Sequence, residues 1–231
     1  RVLHAKSLRK DGPFVVLNAA AMAPDRVEEE LFGTEDVSGR RKVGALAGQH
    51  LKKCVLEFGG SDPFIVLHDA DVELAVEQAV ASRYLNCGQS CIAAKRFILA
   101  PEIADDFVDR MKARAAQLKM GDPSNDTIQL GPMAKRELRD ELHEQVANAL
   151  EHGAIAVLGC EPAAGAGSYY PASILDNVTP AMRIYREEAF GPVAIIIRAK
   201  DEMDAIRIAN DSEFGLGGSV WRSRITEAAE V

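Results

Sequence analysis

The chain has 231 residues, 47% of them hydrophobic and 27% charged, the balance of an ordinary water-soluble domain with enough length to bury a core. A formal net charge of -8 speaks against nucleic-acid binding, and no apolar run approaches the ~18 residues of a membrane span. The first residues, RVLHAKSLRKDGPF, carry no apolar signal core, and four cysteines (Cys54, Cys87, Cys91, Cys160) are too few for a disulfide framework, so reduced thiols in the cytoplasm are expected.

In chain order, GPFVVLNAA (12–20) predicts a strand and loop. PDRVEEELFG (24–33) predicts a short helix, with Pro24 in its first turn and Gly33 as its stop. PFIVL (63–67) is strand-like, and Val72, Val76, Ala79 and Val80 follow at helical spacing. RFILA (96–100) is a second strand; Ile103, Phe107, Met111 and Leu118 then mark one face of a helix. After the turn-rich GDPSND (121–126), Leu138, Leu142, Val146 and Leu150 recur every four residues. IAVLG (155–159) reads as a strand, AAGAGS (163–168) as a loop, and PASIL (171–175) can begin a hairpin. VAIII (193–197) is the most emphatic buried strand; a helix over 202–210 and the strand SVW (219–221) follow, and RITEAAEV (224–231) opens as a helix. Such alternation predicts an α/β fold, a largely parallel sheet covered by helices.

Three segments carry chemistry. In NCGQSCIAAKR (86–96), Gly88 permits a tight turn and CIAAK can begin a helix, which would pull the Cys91 thiol towards thiolate. A cysteine is as readily a small core residue, and the Cys87–Cys91 spacing lacks the second ligand pair or histidine of a zinc site, so no metal is expected. In LEFGGSDPFIV (56–66), Glu57 beside a Gly-Gly turn suits general-base work, or is a strand-end charge reaching water. REEAFGPV (186–193) places two carboxylates in a loop at a strand end, where open α/β sheets hold ligands, or forms an exposed acidic turn.

Together, LEFGG, GQSC and EEAFGP, in that order, resemble the aldehyde dehydrogenase family, with SDPFIVLHDAD (61–71), AAKRFI (93–98) and GSYYPASILDNVTP (167–180) extending the likeness from about Gly39 to the last residue. Its flavour is that of bacterial succinate-semialdehyde dehydrogenases. The resemblance implies that Cys91 attacks a carbonyl, its own N–H helping to hold the oxyanion, and that Glu57 activates the water that releases the acyl group. It further implies that Gly88 and Gln89 shape the nucleophile turn, and that Glu188, with Phe190 nearby, contacts the nicotinamide ribose. Lys95 is left as structural. Three positions depart from the family or complicate it: Ser61 replaces the usual lysine after Gly-Gly, Leu85 replaces the arginine that some succinate-semialdehyde enzymes place six residues before the nucleophile, and Cys87 stands near enough for oxidative pairing to be conceivable.

Residues 1–35 resemble instead the AAA+ domain of bacterial enhancer-binding transcription activators, without a Walker A loop. The expected organisation is a foreign strand-helix segment (1–35), a remnant of the end of a cofactor domain (36–56), and a catalytic domain (57–231) truncated at its carboxyl end. The Rossmann-type cofactor domain is mostly absent on this reading, and with it the asparagine that completes the family's oxyanion hole. No phosphate-binding turn is found, so the expectation is a cofactor-independent hydrolase of short acyl esters working through a thioacyl intermediate. Productive NAD(P) binding is not expected, and Glu188 and Phe190 become vestiges. The alternatives are an NAD(P)-dependent aldehyde or semialdehyde dehydrogenase fragment, and an inactive fusion or regulatory domain. Small ester or aldehyde substrates and self-association are expected; nucleic acid and membrane are not.

Overall fold

The computed structural model describes residues 39–53, 55 and 59–223. The strand predicted over 12–20, the helix over 24–33, the helical start at 224–231, Cys54 and the predicted base Glu57 lie outside the described residues. The chain divides into two compact units, Arg1–Leu56 and Glu57–Val231. The first contributes helix α1 (Gly39–Gln49). The second holds the sheet and the remaining helices.

Six strands form one sheet in the order β3-β4-β5-β2-β1-β6. They are β1 (Asp62–Val66), β2 (Ala94–Leu99), β3 (Ile155–Leu158), β4 (Ser173–Asp176), β5 (Val193–Arg198) and β6 (Ser219–Trp221). Every pairing is parallel except β3 with β4. The expected α/β architecture is therefore present. PASIL, read as the start of a hairpin, contributes the second arm of one: β4 runs antiparallel to the preceding β3 and parallel to the following β5.

The central strands are buried on both faces, as continuous apolar runs such as VAIII require. Phe64, Phe97, Ile98, Ile195 and Ile196 lie in this core, each fully buried side chain of this size contributing about 1.5–3 kcal/mol. Helix α2 (Val72–Tyr84) starts at Asp71, whose carboxylate accepts the Leu74 N–H at 3.1 Å, and buries Ala75, Val76 and Ala79. Helix α3 (Ala104–Ala115) buries Phe107 and Met111 and packs on α2. Helix α4 (Arg136–Glu151) buries Leu142 and Val146. After the single turn α5 (Arg183–Arg186), α6 (Glu202–Asn210) begins at Asp201, which caps the Asp204 N–H at 2.8 Å, and packs on β1 and β2.

One expectation fails at the centre of the argument. No helix begins at Cys91: residues 91–93 form a turn and β2 starts at Ala94. The ladder partners β1 and β5 capture AKRFIL on both sides, and that tertiary pairing overrides the helical preference of CIAAK. The helix dipole is thus not what would activate this thiol.

Candidate active site

The three motif segments meet at one edge of the sheet. Residues 59–61 lead into β1, residues 89–93 into β2, and residues 187–192 into β5, and these three strands are neighbours in the order β5-β2-β1. The site therefore gathers at the amino ends of parallel strands rather than at the carboxyl ends, where open sheets usually bind ligands. The candidate residues are carried by the turns that enter the strands.

The turn before Cys91 is shaped by strained backbone. Helix α2 ends in a 3-10 turn (Leu85–Gly88), and Asn86 (φ 52°), Cys87 (φ 55°) and Gly88 (φ 67°) are left-handed in succession. Asparagine tolerates this region and glycine enters it freely, but a cysteine held there costs on the order of 1–3 kcal/mol. Two features hold the turn. Asn86 and Gln89 bond each other's backbone carbonyls at 3.0 and 3.4 Å. Arg83, fully buried, donates to Gly88 O at 2.5 Å and to Ala94 O at 3.1 Å, so one guanidinium spans both ends of the Cys91 loop. Burial lowers the Arg83 pKa to about 10, although the charges of Tyr84, Glu188 and Cys87 oppose the shift. Gln89 Oε1 accepts the Ala134 N–H at 2.8 Å, tying the turn to the loop before α4.

Cys91 is half-buried and its thiol is free, and among the described residues no hydrogen bond takes up its N–H. Cys87 is buried, and burial pushes its thiol up to about 11. Leu85 and Ile92 flank the turn with 74% and 67% exposure.

Backbones pack closely between segments. A β-carbon on Gly60 would fall 2.3 Å from Cys91 O, and one on Gly88 would fall 2.3 Å from Gly191 O. Glu188 closes the arrangement: its Oε1 accepts the Gly60 N–H at 3.1 Å and lies 3.2 Å from Lys95 Nζ. The Glu188 side chain keeps 21% exposure, and Phe190 beside it is half-buried. Thus Gly88, Gln89, Cys91 and Glu188 come together as the motifs suggested. Sequence reasoning passed over Arg83 and undervalued Lys95. Its available signal was Lys-Arg inside an apolar strand, because charges buried on both sides need partners. Arg96 donates to Ser61 O, Ile208 O and Ala209 O at 2.8, 2.9 and 3.0 Å.

A cavity of about 610 Å³ lies at the amino ends of β1 and β6, lined by Ser61, Asp62, Arg96, Asn210, Phe214 and Gly217 among others, and includes neither Cys91 nor Glu188. The Ser61 hydroxyl, where the family pattern has lysine, is buried without a hydrogen-bond partner. Among the described residues no cluster of metal-ligating side chains occurs, and no helix is long and apolar enough to cross a membrane.

Comparison with known proteins decides the lineage: residues 31–231 match the aldehyde dehydrogenase family. The chain belongs to the aldehyde dehydrogenase family. Residues 1–46 match the Sigma-54 interaction domain, in agreement with the AAA+ likeness, and the two matches overlap over 31–46. The NAD(P)+ succinate semialdehyde dehydrogenase Sad of Escherichia coli is 57% identical over 198 residues, which cover 86% of this chain and 43% of that protein. An NADP+ succinate-semialdehyde dehydrogenase of Mycobacterium ulcerans is 44% identical over 218 residues, 91% of this chain and 47% of that protein. The chain thus spans about half the length of these curated relatives. Among solved structures, the succinate-semialdehyde dehydrogenase of Burkholderia pseudomallei superposes with a TM-score of 0.79 at 35% identity, covering 82% of this chain and 40% of that one. An aldehyde dehydrogenase of Mycobacterium tuberculosis complexed with NAD+ gives 0.78 at 35% identity, with 82% and 40% covered.

These relatives overturn the expectation that no cofactor is required. They are NAD(P)+ or NADP+ enzymes by name, and one family neighbour is complexed with NAD+. Physically, oxidising an aldehyde to the acid level requires a hydride acceptor, which the nicotinamide supplies. The curated relatives named above are dehydrogenases by name, not ester hydrolases.

Proposed function

We propose that this chain carries the nucleophile-bearing half of an NAD(P)+-dependent aldehyde dehydrogenase acting on a small aldehyde of the semialdehyde class. The observation that carries this reading is the convergence of Cys91 and Glu188 on adjacent strand ends, tied through Gly60 and Lys95. Cys91 Sγ adds to the aldehyde carbon as a thiolate, a C–S bond forms, and the carbonyl π electrons move to oxygen. The Cys91 N–H is available to that oxyanion. Glu57 serves as the base that draws a proton from the water releasing the acyl group.

The residues present fit the nicotinamide end of a dinucleotide. Glu188 is a partly exposed carboxylate held by one oxygen, able to accept from a ribose hydroxyl, and Phe190, two residues on, is half-buried. When bound, the nicotinamide supplies the hydride acceptor. At position 85 an exposed leucine offers no cation, so the carboxylate of a semialdehyde is held by groups other than an arginine at that position. We read residues 1–35 as a foreign segment and 36–56 as the end of a cofactor domain, in keeping with the two overlapping family matches. The test is NAD(P)H absorbance with succinate semialdehyde and a series of unbranched aldehydes. Turnover lost in Cys91→Ala supports the reading, whereas no turnover with any aldehyde and either cofactor sinks it.

A further inference from the structure

A lysine at the start of a central strand is costly to bury, and Lys95, the second residue of β2, is buried completely. Its ammonium lies 3.0 Å from Ser90 O, 3.0 Å from Cys91 O, 3.3 Å from Ala93 O and 3.2 Å from Glu188 Oε1. The three carbonyls belong to the nucleophile turn, and the carboxylate belongs to the loop before β5. Glu188 Oε1 also accepts the Gly60 N–H, so one ammonium and one carboxylate oxygen join all three motif segments. Burial pulls the Lys95 pKa down, and the Glu188 carboxylate opposes that shift most strongly.

The shape of the Cys91 loop does not call for this charge. Arg83 already spans the loop from Gly88 O to Ala94 O, and Ser82 Oγ accepts the Ala94 N–H at 3.0 Å. What Lys95 adds is the link from that loop to Glu188. We propose that Lys95 is a positioning residue, a buried ammonium that sets the spacing between the Cys91 turn and the Glu188 carboxylate. The catalytic use of that spacing rests on the function proposed above; the spacing itself does not.

The experiment compares Lys95→Met, Glu188→Gln and the double variant in the full chain. Three readouts are taken: thermal unfolding, the alkylation rate of Cys91 by iodoacetamide followed by peptide mass spectrometry, and hydrogen exchange at the Gly60 amide. Lys95→Met should change the Cys91 alkylation rate about tenfold or more and speed exchange at Gly60, with the double variant no worse than the more affected single. In turnover, kcat should fall by up to ~10²-fold, the size of effect that an ångström of misplacement produces, while KM for the aldehyde moves little. A lysine that merely supports the fold would lower the unfolding temperature, leave both local readouts unchanged in the folded protein, and give additive singles; that pattern overturns the proposal. If Lys95→Met does not fold, Glu188→Gln decides alone: unchanged alkylation at Cys91 and unchanged exchange at Gly60 overturn it, and changes in both support it. Local effects without any aldehyde turnover in the parent would remove the proposed function and keep the positioning role. Turnover in the parent with kcat intact in Lys95→Met would do the reverse.

Discussion

Gly60 and Cys91 are in contact through backbone alone: a β-carbon at position 60 would stand 2.3 Å from the Cys91 carbonyl oxygen, closer than such atoms can approach. The partner is main chain, so the turn that carries the nucleophile would have to move. Gly60→Ala should therefore reduce turnover by about 10²-fold, as expected when a reacting group is displaced. Gly48→Ala is the control. Among the described residues nothing beyond the helix's own backbone lies within 4 Å of a β-carbon there, the site is inside α1, and activity should be intact. Equal activity in both variants would show that the Cys91 turn adapts without cost.

The thiols should react in a fixed order. Burial raises Cys87 to about 11 and Cys160 to about 12, while Cys91 is partly exposed. At pH 8 a thiol of pKa 11 is ionised in roughly one molecule in a thousand, and only the thiolate attacks. Limited iodoacetamide labelling followed by peptide mass spectrometry should find Cys91 modified well before Cys87 or Cys160. Cys87→Ala should keep most of the activity that Cys91→Ala abolishes. Early modification of Cys87 would mean that the left-handed turn opens readily in solution.

Arg83 supports that turn from beneath. Replacing it by methionine leaves Gly88 O and Ala94 O buried without their donor. Each such group costs about 1–3 kcal/mol, so Arg83→Met should lose roughly 2–4 kcal/mol in chemical unfolding. Its Cys91 labelling should also become less selective over Cys87. A loss below about 0.5 kcal/mol would place the two carbonyls on other donors.

Asp62 gives a pH dependence with a definite sign. Burial raises its pKa above the ordinary 3.8, against the pull of Lys95, the Gly217 N–H and Arg96. A carboxyl whose folded-state pKa is raised contributes stability that is full below the unfolded value and is lost as pH rises through the folded value. Asp62→Asn keeps an oxygen to accept the Gly217 N–H, now at 3.1 Å from Asp62 Oδ1, and removes the ionisation. The variant should therefore be more stable than the parent at neutral pH. That advantage should shrink as pH falls and vanish below about 3.8. Unfolding curves across pH measure it, and an advantage that grows towards acid would reverse the assignment.

The sequence by itself determined the lineage and the layer structure, and it pointed to Cys91 as the candidate nucleophile. GQSC and EEAFGP are local patterns, and VAIII and PFIVL are buried runs whose strand character needs no partner to be recognised. Family likeness also pointed to Glu188 as a candidate site residue, which no periodicity could have suggested. Three matters were decided only by tertiary structure. CIAAK has the composition of a helix start, yet β1 and β5 draw residues 94–99 into the sheet, because ladder hydrogen bonds and burial on both faces outweigh local preference. That the three turns meet is set by the order β5-β2-β1 and the parallel pairing of these strands, which no one segment shows. Lys95 reads in the sequence as one more basic residue beside Arg96. Only the approach of a carboxylate 93 positions further along the chain, together with three carbonyls of the preceding turn, makes its burial affordable, since an ammonium removed from water must find its acceptors in the protein.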